Sequence, residues 1–211
     1  FLNDIDFPFT VGYGATECAP IITYSDWHDF VPMSCGREVV HMEVKIDSEN
    51  PETVPGEILA RGLNVMLGYY KNDEATAQTI DKDGWYHTGD LGLMDKGGNV
   101  FIKGRSKNML LGPNGQNIYP EEIEDKLNSM TFAMESVVVQ RDGKLVGLVH
   151  PDCDEVQAMG LSRDDLQSLM EENRVQVNAN LPVYCQIAAL EIHDEEFEKS
   201  PNKSIKRYLY K

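Results

Sequence analysis

The sequence is short of positive charge. Lys and Arg together number 19 against 35 Asp and Glu, a formal net charge of -16 over 211 residues. So acidic a chain has no general affinity for nucleic acid or an anionic membrane surface, and any anionic substrate must be held at a local basic site. Cysteine is also sparse. Cys18, Cys35, Cys153 and Cys185 form no CxxC pair and have no His at zinc-finger spacing. Neither a redox motif nor a structural metal site is indicated, and reduced, cytoplasmic thiols are the default. No apolar run is long enough to span a bilayer, and the amino terminus has neither the basic nor the apolar region of a signal peptide. GxxxxGK[ST] and GxGxxG are both missing, so standard mononucleotide and dinucleotide folds are not supported. The chain lacks an initiator Met and opens on "FLNDIDFPFTVGYG", as if in mid-domain. A fragment is expected.

What is present is an ordinary globular composition, 41% hydrophobic and 26% charged, at a length that suits two small domains. Up to about Arg105 the chain is rich in Gly and Pro, with short strand-like runs such as "HMEVKI" (41 to 46) and "GEILARG" (56 to 62). One helix interrupts them at "DEATAQTI" (73 to 80), where Asp73 is a candidate cap. In "FIKGRSK", Lys103, Arg105 and Lys107 alternate, as cations on one face of a strand would.

The second half changes character. "NMLL" and "GQNIY" flank "GPNG" as a hairpin, and Pro120 then opens a helix whose stripe is Ile123, Leu127 and Met130. Strands "SVVVQ" and "KLVGLVH" turn at "RDG"; a helix capped by Ser162 with Asp165 ends before Pro182, and the strand "QIAALEI" follows. This pattern is a compact α+β unit. The tail turns basic in "KSPNKSIKRYLYK", and its aromatic end is open to two readings, frayed or docked.

Three stretches concentrate chemistry. "VGYGATE" (11 to 17) combines close-approach glycines, an aromatic face, a hydroxyl and a carboxylate suited to a divalent cation, although a plain hairpin turn with an exposed Glu17 fits its composition as well. In "DGWYHTGDLG" (83 to 92), Asp90 can accept from two vicinal hydroxyls, as a ribose presents them, or can stabilise its own turn. The third is the basic tail, with Lys203 and Lys206.

Taken in order, "GYGATE", "PGEILARGLNVMLGYYKN", "GWYHTGDLG", "GRSKNML", "GQNIYPEEIE" and "SPNKSIKR" resemble the later motifs of the adenylate-forming superfamily, and "GQNIYPEEIE" with "IKRYLY" is similar to its long-chain fatty-acid CoA ligases. The resemblance implies an α+β chain: a β-rich remnant of the large amino-terminal adenylation domain (1 to 106), then a small, mobile α+β carboxy-terminal domain (107 to 211). It implies ATP, Mg²⁺, a fatty acid and CoA as the small molecules handled, with no nucleic-acid partner. Another carboxylate, an acyl carrier protein as acceptor, or a non-catalytic interaction module are the alternatives.

By that resemblance Tyr13 stacks near adenine, Gly14 borders the acyl carboxylate, Thr16 contacts phosphate, and Glu17 holds Mg²⁺. Asp90 and Arg105 bind the ribose hydroxyls, Lys107 is the interdomain hinge, and Gly115 lines the CoA channel. The last motif departs from the family pattern. Aligning Pro201, Ile205 and Arg207 puts Ser204 where the family has its catalytic lysine, so Lys203, one residue early, is the candidate, with Lys206 competing. The family's Ser/Thr/Gly-rich phosphate loop lies upstream of "GYGATE" and is not in this sequence, so the chain alone is expected to turn over little or nothing.

Overall fold

Period-two patterning in the first half becomes antiparallel sheet. The computed structural model describes residue 2, residues 5–201 and residues 203–210. Among these the chain is α+β and divides into two units, residues 1–107 and 108–211.

In the first unit β1 (Tyr13–Gly14), β2 (Ile21–Tyr24) and β3 (Arg37–Glu38) make a small sheet. A larger one runs β4 (Met42–Asp47), β5 (Gly56–Gly62), β6 (Tyr86–Met94) and β7 (Val100–Arg105), with neighbours antiparallel. Helix α1 (Asp73–Thr79) lies between β5 and β6 in the chain. The strand residues Ile22, Met42, Ile46, Ile58, Ala60, Tyr86 and Val100 are buried together in the core of this unit.

Two local expectations are corrected here. The cap of α1 is Asn72, whose side-chain oxygen accepts from the Ala75 amide, while Asp73 sits in the first turn, where its charge suits the helix dipole. The three-cation strand face is also broken. A bulge shifts the register at Lys103, between the pairs Leu91 with Gly104 and Gly92 with Ile102. Lys107 lies beyond the strand, in the 3₁₀ turn Ser106–Asn108.

In the second unit β8 (Leu110–Leu111) and β9 (Asn117–Ile118) form the hairpin around Gly115, whose φ is +79°. Pro120 is the first helical residue of α2 (Pro120–Asn128), its missing N–H costing nothing there, and Ile123 and Leu127 are buried. Then β10 (Ala133–Arg141) and β11 (Lys144–Pro151) pair antiparallel through a turn at Asp142 and Gly143, both at positive φ. Helix α3 (Cys153–Met159), capped by Asp152, was not foreseen. Its "CDEVQAM" is too short and polar to show a helical stripe. Ser162 and Asp165 form the expected capping box on α4 (Arg163–Ala179), and β12 (Ile187–Ile192) then pairs parallel to β11.

The sheet order β10-β11-β12 has two covered faces. Ile123, Leu127, Leu166, Met170 and Val177 pack on Val138, Leu145, Val149, Ile187 and Leu190. On the other side Phe197, Ile205 and Tyr210 of the tail meet Val137, Val139, Val146 and Leu148. The tail is therefore docked, and two-sided burial explains the unbroken apolar run of β11.

Candidate active site

The site is built in the first unit, and a strand irregularity builds it. Glu57 pairs with Leu91 and Leu59 with His87, so the single residue Ile58 on β5 faces Thr88, Gly89 and Asp90 on β6. Such a bulge re-aims side chains and bends its strand. Gly89 takes the left-handed φ of +72° that the bend requires, and its amide donates to Glu57. The Thr88 hydroxyl donates to the Ile58 carbonyl and accepts from the Asp90 amide, which fixes the backbone beneath the carboxylate.

Asp90 is 8% exposed, and its two carboxylate oxygens have different partners. The Tyr13 hydroxyl donates to Oδ2 at 2.6 Å, while Arg105 Nε stands 2.7 Å from Oδ1. Arg105 keeps 59% of its side chain exposed, so the pair has one buried and one open end. Burial first, then the charge of Asp90, pushes the Tyr13 hydroxyl well above the ordinary tyrosine range. Tyr13 is thus a neutral donor. Its ring is 8% exposed and packs in the core, so the structure gives it a second task beside any stacking: holding Asp90.

Glu17 belongs to the 3₁₀ turn Thr16–Cys18 that follows β1. The Tyr69 hydroxyl donates to its Oε1 at 2.8 Å. Burial acts to raise the Glu17 pKa, but hydrogen bonds from Tyr69, its own backbone and Tyr86, with the charge of Arg105, outweigh it and hold the carboxyl below its ordinary value. Glu17 is therefore ionised at neutral pH. Burial, then the Glu17 charge, pushes the adjacent Cys18 thiol up to about 11, which leaves it unreactive. The loop after β5 braces this turn, with Met66 donating its amide to the Glu17 carbonyl and the Asn64 side chain donating to the carbonyls of Cys18 and Ile21.

Gly14 and Thr16 are exposed beside Glu17. A Cβ at Gly14 would stand 2.0 Å from the Pro20 carbonyl oxygen, so the glycine is a steric requirement of the turn. Tyr13, Glu17, Asp90 and Arg105, 77 residues apart at the Tyr13–Asp90 contact, are thereby brought to one place. Sequence reasoning missed Tyr69, Tyr86 and Thr88. The period-two burial of Tyr86, Thr88 and Asp90 is the signal that would have found two of them. Lys107 and Gly115 lie in the turn at the unit boundary and in the β8–β9 hairpin, and Lys203 in the tail of the second unit.

Known proteins resemble this chain in sequence and in fold. The family model described as AMP-binding enzyme matches residues 1–70. A long-chain-fatty-acid–CoA ligase of Escherichia coli O6:H1 is 39% identical over 155 residues, which cover 71% of this chain and 24% of that one. These matches support membership in the adenylate-forming superfamily. A mitochondrial medium-chain acyl-CoA ligase of Bos taurus is 35% identical over 162 residues, 73% of this chain and 23% of that one. The chain thus spans about a quarter of the length of these curated relatives. Among solved structures, the o-succinylbenzoate CoA synthetase of Bacillus subtilis in complex with its acyl-adenylate intermediate superposes with a TM-score of 0.78 at 24% identity, over 100% of this chain and 42% of that one. That likeness concerns the fold. No described helix is long and apolar enough to cross a membrane.

Proposed function

We propose that this chain carries the nucleotide-binding carboxylates and the carboxy-terminal lysine of an ATP-dependent fatty-acid CoA ligase. In that reaction the acid's carboxylate attacks the α-phosphorus of ATP and pyrophosphate leaves; the CoA thiol then attacks the acyl adenylate and AMP leaves. The observation that supports it most is the Asp90 carboxylate, oriented by Tyr13 on one oxygen and Arg105 on the other. Each carboxylate oxygen can accept more than one hydrogen bond, so vicinal ribose hydroxyls have a prepared acceptor, and Arg105 has exposed N–H groups for the same sugar.

In the same proposal Tyr13 borders adenine, Gly14 lies by the acyl carboxylate, and Thr16 donates to phosphate. The residues also suit Mg²⁺. Glu17 is a single ionised carboxylate, and no group of three or more His, Cys, Asp or Glu among the described residues forms a metal cage. Magnesium characteristically takes one or two carboxylates and completes its shell with phosphate and water. When bound, it would supply charge neutralisation on the phosphates. Glu17 would hold it, braced by Tyr69. Residues 1–106 would then be part of the large domain and 107–211 the mobile domain, with Lys107 as hinge, Gly115 in the CoA channel and Lys203 supplying positive charge to adenylation.

The test is to follow ATP in the full-length protein with long-chain, medium-chain and aromatic acids. Acid-dependent formation of AMP and pyrophosphate, with thioester appearing only when CoA is added and fastest for a long-chain acid, is the expected result. Formation of ADP, or AMP formation indifferent to the acid, would overturn it.

A further inference from the structure

The second unit holds a buried ion pair for which the reaction above has no use. Glu124 on α2 is 5% exposed, and Arg207 reaches it from the tail 83 residues later. The guanidinium is bidentate: Nη1 donates to Oε1 at 2.5 Å and Nη2 donates to Oε2. Oε1 also accepts the Val138 amide at 2.6 Å, a donor on the sheet-edge strand β10. A buried pair of this kind is weak evidence for added stability, because desolvation offsets its attraction. Its more certain effect is to fix geometry.

What it fixes is the turn that carries Lys203. Lys199 and Ile205 form an isolated bridge, and the Ser200 amide donates to the Ser204 carbonyl at 2.8 Å. Lys203 sits inside this turn at a φ of +60°, a left-handed backbone that is unfavourable for a non-glycine residue. Its amide donates to the Ser200 carbonyl at 2.9 Å. The other described tail cations are engaged: Lys199 with Glu135 at 2.7 Å, Lys206 with Glu198, and Arg207 with Glu124. The Lys203 side chain is exposed and has no hydrogen-bond or ion-pair partner among the described residues. One strained, uncommitted lysine is thus held at the tip of a turn whose base is tied down on both sides.

We propose that Glu124 is a positioning residue, which by clamping Arg207 fixes the base of the turn that presents Lys203. The clamp itself stands on geometry, and only its consequence for catalysis rests on the ligase reading.

Two variants separate the contributions. Glu124→Gln keeps an acceptor for Val138 and removes the charge, whereas Arg207→Lys keeps the charge and removes the fork. Amide exchange in the full chain should rise about tenfold or more at Lys203, Ser204 and Lys206 in both variants, with the β10–β11 ladder unchanged. In the parent enzyme the adenylation kcat should fall about tenfold to 100-fold, the range that an ångström of misplacement costs. KM values and thioester formation from supplied acyl adenylate should hold, and adding Lys203→Ala should lower adenylation little further than Lys203→Ala alone. Unchanged exchange at the turn would overturn the clamp. Equal losses in both half-reactions, or full additivity with Lys203→Ala, would overturn the positioning role. A parent that forms no adenylate at all would remove the ligase reading, while exchange would still decide the clamp.

Discussion

Arg105 and Asp90 are bound twice: they are direct partners in the β6–β7 ladder, and Arg105 Nε lies 2.7 Å from Asp90 Oδ1. Backbone register and side-chain charge specify the same contact, so neither can slip without the other. The proposed ribose site therefore has a prepared acceptor before any nucleotide arrives.

Asp90→Asn should weaken AMP binding about tenfold to 100-fold, the scale of losing a hydrogen bond to a charged group. Titration calorimetry on the full-length protein measures it. The control is AMP lacking the ribose 3′-hydroxyl, against which the variant and wild type should differ far less. An equal deficit with both ligands would assign Asp90 a purely structural role.

Tyr13→Phe keeps the ring and removes the donor to Asp90 Oδ2. The buried carboxylate then loses a hydrogen bond, and denaturation should show a loss of about 1 to 3 kcal/mol. AMP affinity should fall less than in Asp90→Asn, because Arg105 still orients the other oxygen.

Gly14→Ala introduces a methyl where 2.0 Å separates it from the Pro20 carbonyl oxygen, and backbone cannot yield cheaply. The turn bearing Thr16 and Glu17 must move. Expected outcomes are a lowered melting temperature and loss of magnesium-dependent ATP binding, with the second unit's amide-exchange pattern intact.

For pH, Glu17 gives the sign. Its folded pKa lies below the ordinary value near 4.5, so its contribution to stability is present above that value and is lost as the pH falls through the folded pKa. The stability gap between wild type and Glu17→Gln should therefore narrow steadily from about pH 5 downward. Denaturant midpoints at a series of pH values check this, and a gap that stayed constant would contradict it.

Elements with strong local chemistry were legible in the sequence. "GEILARG" is β5 residue for residue, Pro120 opens α2, and Ser162 with Asp165 boxes α4, because each depends on neighbours along the chain. The docked tail was only half legible, since Phe197 and Tyr210 gain their meaning from Val137 and Leu148 across the sheet. The site followed the same division. Its charged members stood out by type, whereas Tyr69 and Tyr86 act through a distant carboxylate that no local pattern announces. The Lys103 bulge hid for the opposite reason: it is a mismatch with β6, and one strand alone cannot show a mismatch.

The surplus in β6 opposite Ile58 amounts to an even number of residues, so Tyr86, Thr88 and Asp90 keep facing inward across the interruption. Deleting Gly89 would reverse parity and turn the acid outward with Thr88 and Asp90 both still present. Grafting this motif onto another scaffold would thus mean copying a length as well as a spelling.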